Sequence, residues 1–260
     1  MPDLSGPKLL GKVAIVTGCA SGIGAATLAR LRADGAQVLG TDINAEAGQA
    51  LCDEHGASFA RQDVSDRALW NVIVDQARAQ FGRLDILVNN AGMVTGASIG
   101  EVSDEVWDQV IAVNLTGSMA GCRAAIRVMR DNPGGAKGAI INISSTTAIA
   151  PLPSDVGYSA SKGAVRVMSK SIATWCAQQG LDIRCNTVIP GATETGILNA
   201  AEENMPGLKA AVASTSPMNR LADPAETAAA IAFLASDECP YMTGAEMLVD
   251  GAMMALHPGF

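Results

Sequence analysis

The chain has 260 residues, 48% of them hydrophobic and 17% charged, a balance that excludes a disordered chain and lets a large core close without disulfides or metal. Its 18 Lys and Arg against 26 Asp and Glu leave a net charge of −8, which disfavours nucleic acid or an anionic membrane as a partner. The length suits one domain spanning 1–260.

Residues 1–8 carry neither the basic region nor the apolar run of a secretion signal, and no apolar stretch reaches the ~18 residues of a membrane span. The expected location is the cytoplasm. Short aliphatic runs then alternate with Ala-rich segments of helical spacing. Runs at 13–16, 37–40, 58–60, 86–88, 139–143, 183–188 and Glu246–Val249 read as strands separated by crossover helices. Strands this continuously apolar are buried on both faces, so the expected fold class is α/β, a doubly wound parallel sheet of seven strands flanked by helices. Asp223-Pro224-Ala225-Glu226 combines a capping Asp, a Pro at the first helical position and a Glu at the third, which predicts a helix to about Leu234. The segment from 190 to 222 lacks a strand signal and is broken by Gly191, Gly196, Pro206, Gly207 and Pro217. It predicts a functional loop or lid at about 192–219.

The six cysteines are scattered and read as reduced thiols, and His55 and His257 are far apart, so no metal site is expected. Thr17-Gly18-Cys19-Ala20-Ser21-Gly22-Ile23-Gly24 joins the first strand to a strong helix former. Glycines there let the backbone approach a pyrophosphate while the helix N-terminus supplies N–H donors. Taken alone, they also suit an ordinary tight turn. Asp42, about 20 residues further on, can accept bonds from the adenosine ribose hydroxyls and repels a 2′-phosphate. Neither 19–21 nor 41–49 holds a Lys or Arg. NAD is therefore expected over NADP, although a lone Asp at a strand end also reads as a helix cap.

Tyr158 and Lys162, four apart, share a helix face. A phenol with an ordinary pKa near 10 becomes a base near neutrality only beside positive charge, which Lys162 offers. Such pairs are also common surface residues, but two features single this one out. Ser144 and Ser145 end an apolar strand, and Asn89-Asn90-Ala91-Gly92 ends another. Strand carboxyl ends are where open α/β sheets bind ligands.

Together with Asp63-Val64, Asn114, and Pro190-Gly191 with Thr195, these motifs make the chain resemble the classical short-chain dehydrogenase/reductase family from about Gly11 to Gly251. The resemblance implies a Rossmann fold, hydride transfer with a nicotinamide cofactor, and a homotetramer. It carries the serine role to Ser145, 13 residues before Tyr158, leaving Ser144 structural. Tyr158 is then the general base for alcohol oxidation or the acid for ketone reduction. Lys162 lowers its pKa and binds the nicotinamide ribose, Ser145 polarises the substrate oxygen, and Asn114 holds a relay water. The implied cofactor set is Gly18, Ser21, Gly22, Ile23, Gly24, Asp42, Asp63, Val64, Asn90, Ala91, Gly92, Tyr158, Lys162, Pro190, Gly191, Thr193 and Thr195. Asp63 meets the adenine edge, and Thr195 the carboxamide or pyrophosphate. Thr193, where Ile or Val is common, and Ala252, where a second Gly is common, depart from the pattern.

The expected pocket wall is Met93, Val94, Ile149, Pro151, Leu152, Pro153, Val156, Ile197, Leu198, Met205 and Leu208, and Lys209 is the only cation in 192–219. That favours an uncharged, hydrophobic secondary alcohol or ketone, cyclic in the preferred reading. Segments 178–186 and 233–238 are similar to those of bacterial hydroxysteroid and cyclic-alcohol dehydrogenases. The alternatives are an NADPH-dependent 3-oxoacyl-(acyl carrier protein) reductase, opposed by Asp42 and by the negative charge, and a catalytically silent dinucleotide-binding protein.

Overall fold

The computed structural model describes residues 8–256, apart from the side chains of Ile197, Ala200, Ala201 and Asn204. Expectations drawn from residues 1–7, His257 and the Ile197 side chain lie outside the described residues.

Seven strands form one parallel sheet: β1 (Val13–Thr17), β2 (Gln37–Asp42), β3 (Ser58–Arg61), β4 (Ile86–Asn89), β5 (Lys137–Ile143), β6 (Asp182–Pro190) and β7 (Glu246–Val249). Their order is β3-β2-β1-β4-β5-β6-β7, and every pairing is parallel. This is the expected doubly wound Rossmann-type architecture. Because β1 pairs with both β2 and β4, the winding direction reverses between β1 and β4, and the loops leaving their carboxyl ends part there to form a crevice.

Each face of the sheet is sealed by helices. On one face α1 (Gly22–Ala33) and α9 (Pro224–Ala235) pack Leu28, Leu31, Ile231 and Leu234 against Ala14, Val16, Val88 and Ile141. On the other, α3 (Leu69–Phe81), α5 (Ser118–Met129) and α6 (Val156–Gln178) pack Trp70, Ile73, Ala125 and Ala173 against Ile15, Leu87 and Ile140. Successive residues of one strand thus serve opposite cores, which is why both faces read as apolar in sequence. Between them come α2 (Ala45–Glu54) and α4 (Asp104–Ile111).

The capping expectation for α9 holds: Asp223 accepts from Ala225, Glu226 accepts from the Asp223 amide at 2.8 Å, and the helix ends at Ala235. The segment at 192–219 is less loop-like than its breakers suggest. It folds into α7 (Gly196–Asn204) and α8 (Leu208–Ala213), with Pro206 and Gly207 in the joint. All six cysteines are buried and free, and none of the described residues forms a metal-binding cluster. No helix among the described residues is long and apolar enough to cross a membrane.

Candidate active site

The loops at the carboxyl ends of β1 to β7 surround one cavity of about 830 Å³. Its lining includes Ser145, Tyr158 and Lys162, and every expected cofactor residue except Gly24. Asn114 lies outside the lining as well.

β5 delivers the two serines. Ser144 Oγ donates to the Lys162 carbonyl at 2.8 Å, fastening the strand end to α6 from behind. Ser145, 9% exposed, turns its hydroxyl toward the Tyr158 phenol. On α6, Tyr158 and Lys162 share the face turned to this strand end. The Lys162 Nζ donates to the Ile143 carbonyl at 2.9 Å and lies 5.6 Å from the centre of the Tyr158 ring. Burial pushes the Lys162 ammonium down from 10.5 to about 8. Burial also raises the Tyr158 phenol above its ordinary value; the Ser145 hydroxyl opposes this, and the Asp155 charge adds to it. Only a positive charge beside the phenol can make it a base near neutrality.

Asn114 belongs to a π-helical turn, Ala112–Gly117, that continues α4. A wide turn of this kind inside a helix is frequent at functional sites. Its amide spans two elements, accepting from the Met93 amide at 2.9 Å and donating to the Met93 carbonyl at 2.9 Å and Ser161 Oγ at 3.0 Å. Gly92 fits between the two groups: a Cβ there would lie 3.3 Å from both Asn114 Oδ1 and Lys162 Nζ. Asn114 thus stands behind the cavity, one layer from its edge.

Sequence reasoning passed over Asp155. Its carboxylate, 3% exposed, caps α6 by accepting from the Tyr158 amide at 3.1 Å. It also accepts from the Thr95 amide (2.7 Å), Thr95 Oγ1 (2.6 Å) and the Gly96 amide (2.8 Å), so one side chain joins the segment after β4 to the start of α6. Burial raises its pKa, and the bonds from Thr95, Gly96 and Tyr158 outweigh that and hold it below 3.8. Asp155→Ala is expected to cost about 2 kcal/mol at pH 7. In paired denaturant titrations the difference should shrink as the pH falls from 3.8 through the lower folded pKa, because a depressed carboxyl stabilises only while ionised.

The other half of the cavity is built on β1, β2 and β3. Asn90 Nδ2 donates to the carbonyls of Thr17 (2.9 Å) and Gly18 (3.1 Å), and the Asn90 and Ala91 amides donate to Thr17 Oγ1, each at 3.0 Å. These bonds hold the glycine-rich turn against the end of β4. A Cβ at Gly24 would collide with the Gly18 carbonyl. Gly24 therefore serves close packing of the turn on α1, and it alone of the expected cofactor residues does not line the cavity. Ser21 caps α1 by position only, with no side-chain bond to the first turn, which leaves those amides for an anion. Asp42 accepts from the Ala20 amide at 3.0 Å and the Asn44 amide at 2.9 Å, tying the turn to the end of β2. Asp63 Oδ1 accepts from the Ser65 amide (2.9 Å) and Ser65 Oγ (2.6 Å). Thr193 Oγ1 donates to the Gly191 carbonyl at 3.1 Å. Lys162 is the only cation among the lining residues. A cradle that joins helix amides without side-chain caps to a phenol–ammonium pair fits a dinucleotide.

Of the expected apolar wall, Met93, Val94, Leu152 and Leu198 line the cavity. Pro151, Pro153, Val156 and Leu208 do not, and Ile149 and Met205 are 42% and 61% exposed. Thr147, Gln109, Val212, Thr215 and Met253 line the cavity without having been expected there. Thr147 sits two residues after Ser145 and was open to sequence reasoning. The others are brought in by tertiary packing alone.

Three comparisons bear on this geometry. Residues 18–253 match the family model described as enoyl-(acyl carrier protein) reductase. The chain is 41% identical to 3beta-hydroxysteroid dehydrogenase 1 of Eggerthella lenta, covering 97% of each chain. It is 38% identical to an NADP-dependent (R)-specific alcohol dehydrogenase of Lentilactobacillus kefiri, covering 95% of this chain and 98% of the other. Among solved structures, the crystal structure of gox2181 superposes with a TM-score of 0.89 at 31% identity, covering 96% of this chain and 98% of that one.

Proposed function

The chain belongs to the classical short-chain dehydrogenase/reductase family and is an oxidoreductase acting on CH–OH groups with a nicotinamide dinucleotide; from that premise we propose that it uses NAD to interconvert a hydrophobic, cyclic secondary alcohol and its ketone. A nicotinamide held in the cradle would supply the acceptor for hydride from the carbinol carbon in oxidation and the donor in reduction. The protein's own groups manage the oxygen. Tyr158 takes the hydroxyl proton in oxidation and gives it back in reduction, Ser145 donates to the substrate oxygen, and Lys162 favours the phenolate and binds the ribose. Asn114, behind Gly92, serves the far end of a proton relay that reaches Tyr158 through Lys162. Glycines and amides of the β1 turn take the pyrophosphate, and Asp63 with Val64 takes the adenine edge.

The observation that carries the cofactor choice is the Asp42 carboxylate at the cavity edge, with Lys162 as the only lining cation and that at the opposite end. A 2′-phosphate beside Asp42 would meet a negative charge, and the lining there offers no guanidinium or ammonium, Arg61 on the neighbouring strand lying outside it. The lining at the substrate end, with Met93, Val94, Leu152 and Leu198, supports an uncharged apolar substrate. Cysteines that are all buried and free agree with a cytoplasmic setting. The assembly we propose is a homotetramer, supported by apolar side chains left uncovered on α6 and β7: Val167, Trp175 and Leu248 are 69%, 43% and 47% exposed.

The test is initial-rate reduction of NAD and NADP side by side against hydroxysteroids, cyclic alcohols and linear secondary alcohols. Expected is NAD-linked oxidation that prefers ring substrates. Dominant NADPH-linked reduction of acyl thioesters would replace this reading with the acyl carrier reductase, and NAD binding without turnover of any substrate would favour a silent binding protein. Asp42→Ala should lower the NAD-over-NADP ratio of kcat/KM by about 10-fold, equivalent to about 1.4 kcal/mol of lost discrimination. An unchanged ratio would remove Asp42 from that role.

A further inference from the structure

With Asp42 and Asp63 taking the adenosine and Ser145 and Tyr158 the reacting oxygen, as proposed above, the adenine end of the cavity lies at β2 and β3 and the substrate end toward β5, β6 and β7 in the strand order. β7 is the neighbour of β6, with Val249 opposite Pro190 and the Gly191 amide bonded to the Val249 carbonyl at 2.9 Å. The turn that follows β7 therefore emerges at the substrate end. It is tightly built. Asp250 accepts from the Ala252 amide at 3.1 Å and the Met254 amide at 2.8 Å through its side chain, and from the Met253 amide at 3.2 Å through its carbonyl. Ala252 is held at φ +70°, left-handed backbone that costs a residue with a Cβ about 1 kcal/mol or more. Such strain persists only where the surroundings impose it. Here Ser216 Oγ, from a residue 5% exposed just beyond α8, donates to the Gly251 carbonyl at 2.9 Å and also accepts from the Met218 amide at 3.2 Å. The turn is thus pinned to the segment whose Val212 and Thr215 line the cavity, and the side chain it sends into the lining is Met253.

We propose that Met253 is a specificity-determining residue that sets the largest ring system the substrate end accepts. The inference rests on the secondary-alcohol reading above. A thioether carries no charge and no strong hydrogen-bonding group, so it discriminates by volume and shape. In an apolar pocket one methylene is worth about 10- to 200-fold in kcat/KM. The strained, doubly bonded turn fixes where that volume sits, while Leu198, Val212 and Thr215 reach the cavity from the separate 192–219 segment.

The test compares kcat/KM for a fused-ring alcohol, trans-decalol, with that for linear 2-octanol. In Met253→Ala the decalol-over-octanol ratio should rise about 10-fold, and in Met253→Phe it should fall by a similar factor. Met253 is only partly buried, and the two variants change volume in opposite directions, so a general loss of packing cannot produce both shifts. Ratios within about 2-fold of wild type in both variants, with the wild type turning over, would overturn the assignment. Wild-type protein that oxidises neither alcohol with NAD or NADP would instead contradict the secondary-alcohol reading, and the inference would fall with it.

Discussion

Tyr158→Phe is expected to lower kcat for alcohol oxidation by about 10³-fold while leaving the Kd for NAD within about 2-fold of wild type. The substitution removes one oxygen. The ring keeps its place on α6, Ser145 keeps its hydroxyl, Lys162 keeps its bond to Ile143, and the turn proposed to take the pyrophosphate lies on the other side of the cavity. What disappears is the hydroxyl that we propose takes the substrate proton. Burial holds the Tyr158 phenol above its ordinary pKa, so the wild-type rate of oxidation should climb as the pH rises toward the phenol's working value, and the residual rate of the variant should lack that limb. Rapid-mixing turnover and fluorescence titration with NADH separate the two effects. Substantial turnover by the variant, with a preserved pH limb, would assign the base elsewhere.

Lys162→Met should lower kcat/KM by about 10²-fold or more and move the pH limb of oxidation upward. Methionine retains most of the apolar stem but loses the ammonium proposed to favour the phenolate and the bond to the Ile143 carbonyl. In the structure burial and Asp155 raise the Tyr158 phenol and Ser145 lowers it; removing the positive charge that we propose favours the phenolate should move its deprotonation to a higher pH. Stability should respond in the other direction. The folded protein holds the Lys162 proton less tightly than the unfolded chain, with a pKa pushed down to about 8 from 10.5. That cost is fully present below pH 8 and fades as the pH rises from about 8 to 10.5, so wild-type stability contains a rising contribution across this window that Lys162→Met lacks. Denaturant titrations of the two proteins at pH 7 and pH 10 measure the difference.

Much of the sheet was legible because its strands are buried on both sides, which leaves runs such as 139–143 with almost no polar interruption. Strand ends were less legible. β2 continues through Thr41 and Asp42, and β6 to Pro190, because pairing with Ala60, Arg61 and Val249 holds polar or proline residues that local preference would release. The same pairing places Asp42 beside the glycine-rich turn. Tyr158, Lys162 and Ser145 could be read because a helix repeat and a strand end each fix a direction. The pocket wall could not. Whether Ile149 or Thr147 faces the cavity depends on a short 3₁₀ turn at Thr146–Ala148, and Met253 reaches it through a turn whose backbone alanine does not advertise. Asp155 escaped notice for a related reason: a capping Asp is visible in sequence, but the amides of Thr95 and Gly96 that share its carboxylate come from a distant loop.

Hydride transfer itself offers the most direct measurement. A secondary alcohol that the enzyme turns over, deuterated at the carbinol carbon, should deliver one deuterium to the nicotinamide of NAD per ketone formed, on one face of the ring, with transfer lost in Tyr158→Phe. Deuterium appearing in solvent, transfer to NADP in preference to NAD, or undiminished transfer by the Tyr158→Phe protein would contradict NAD-linked alcohol oxidation with Tyr158 as its base.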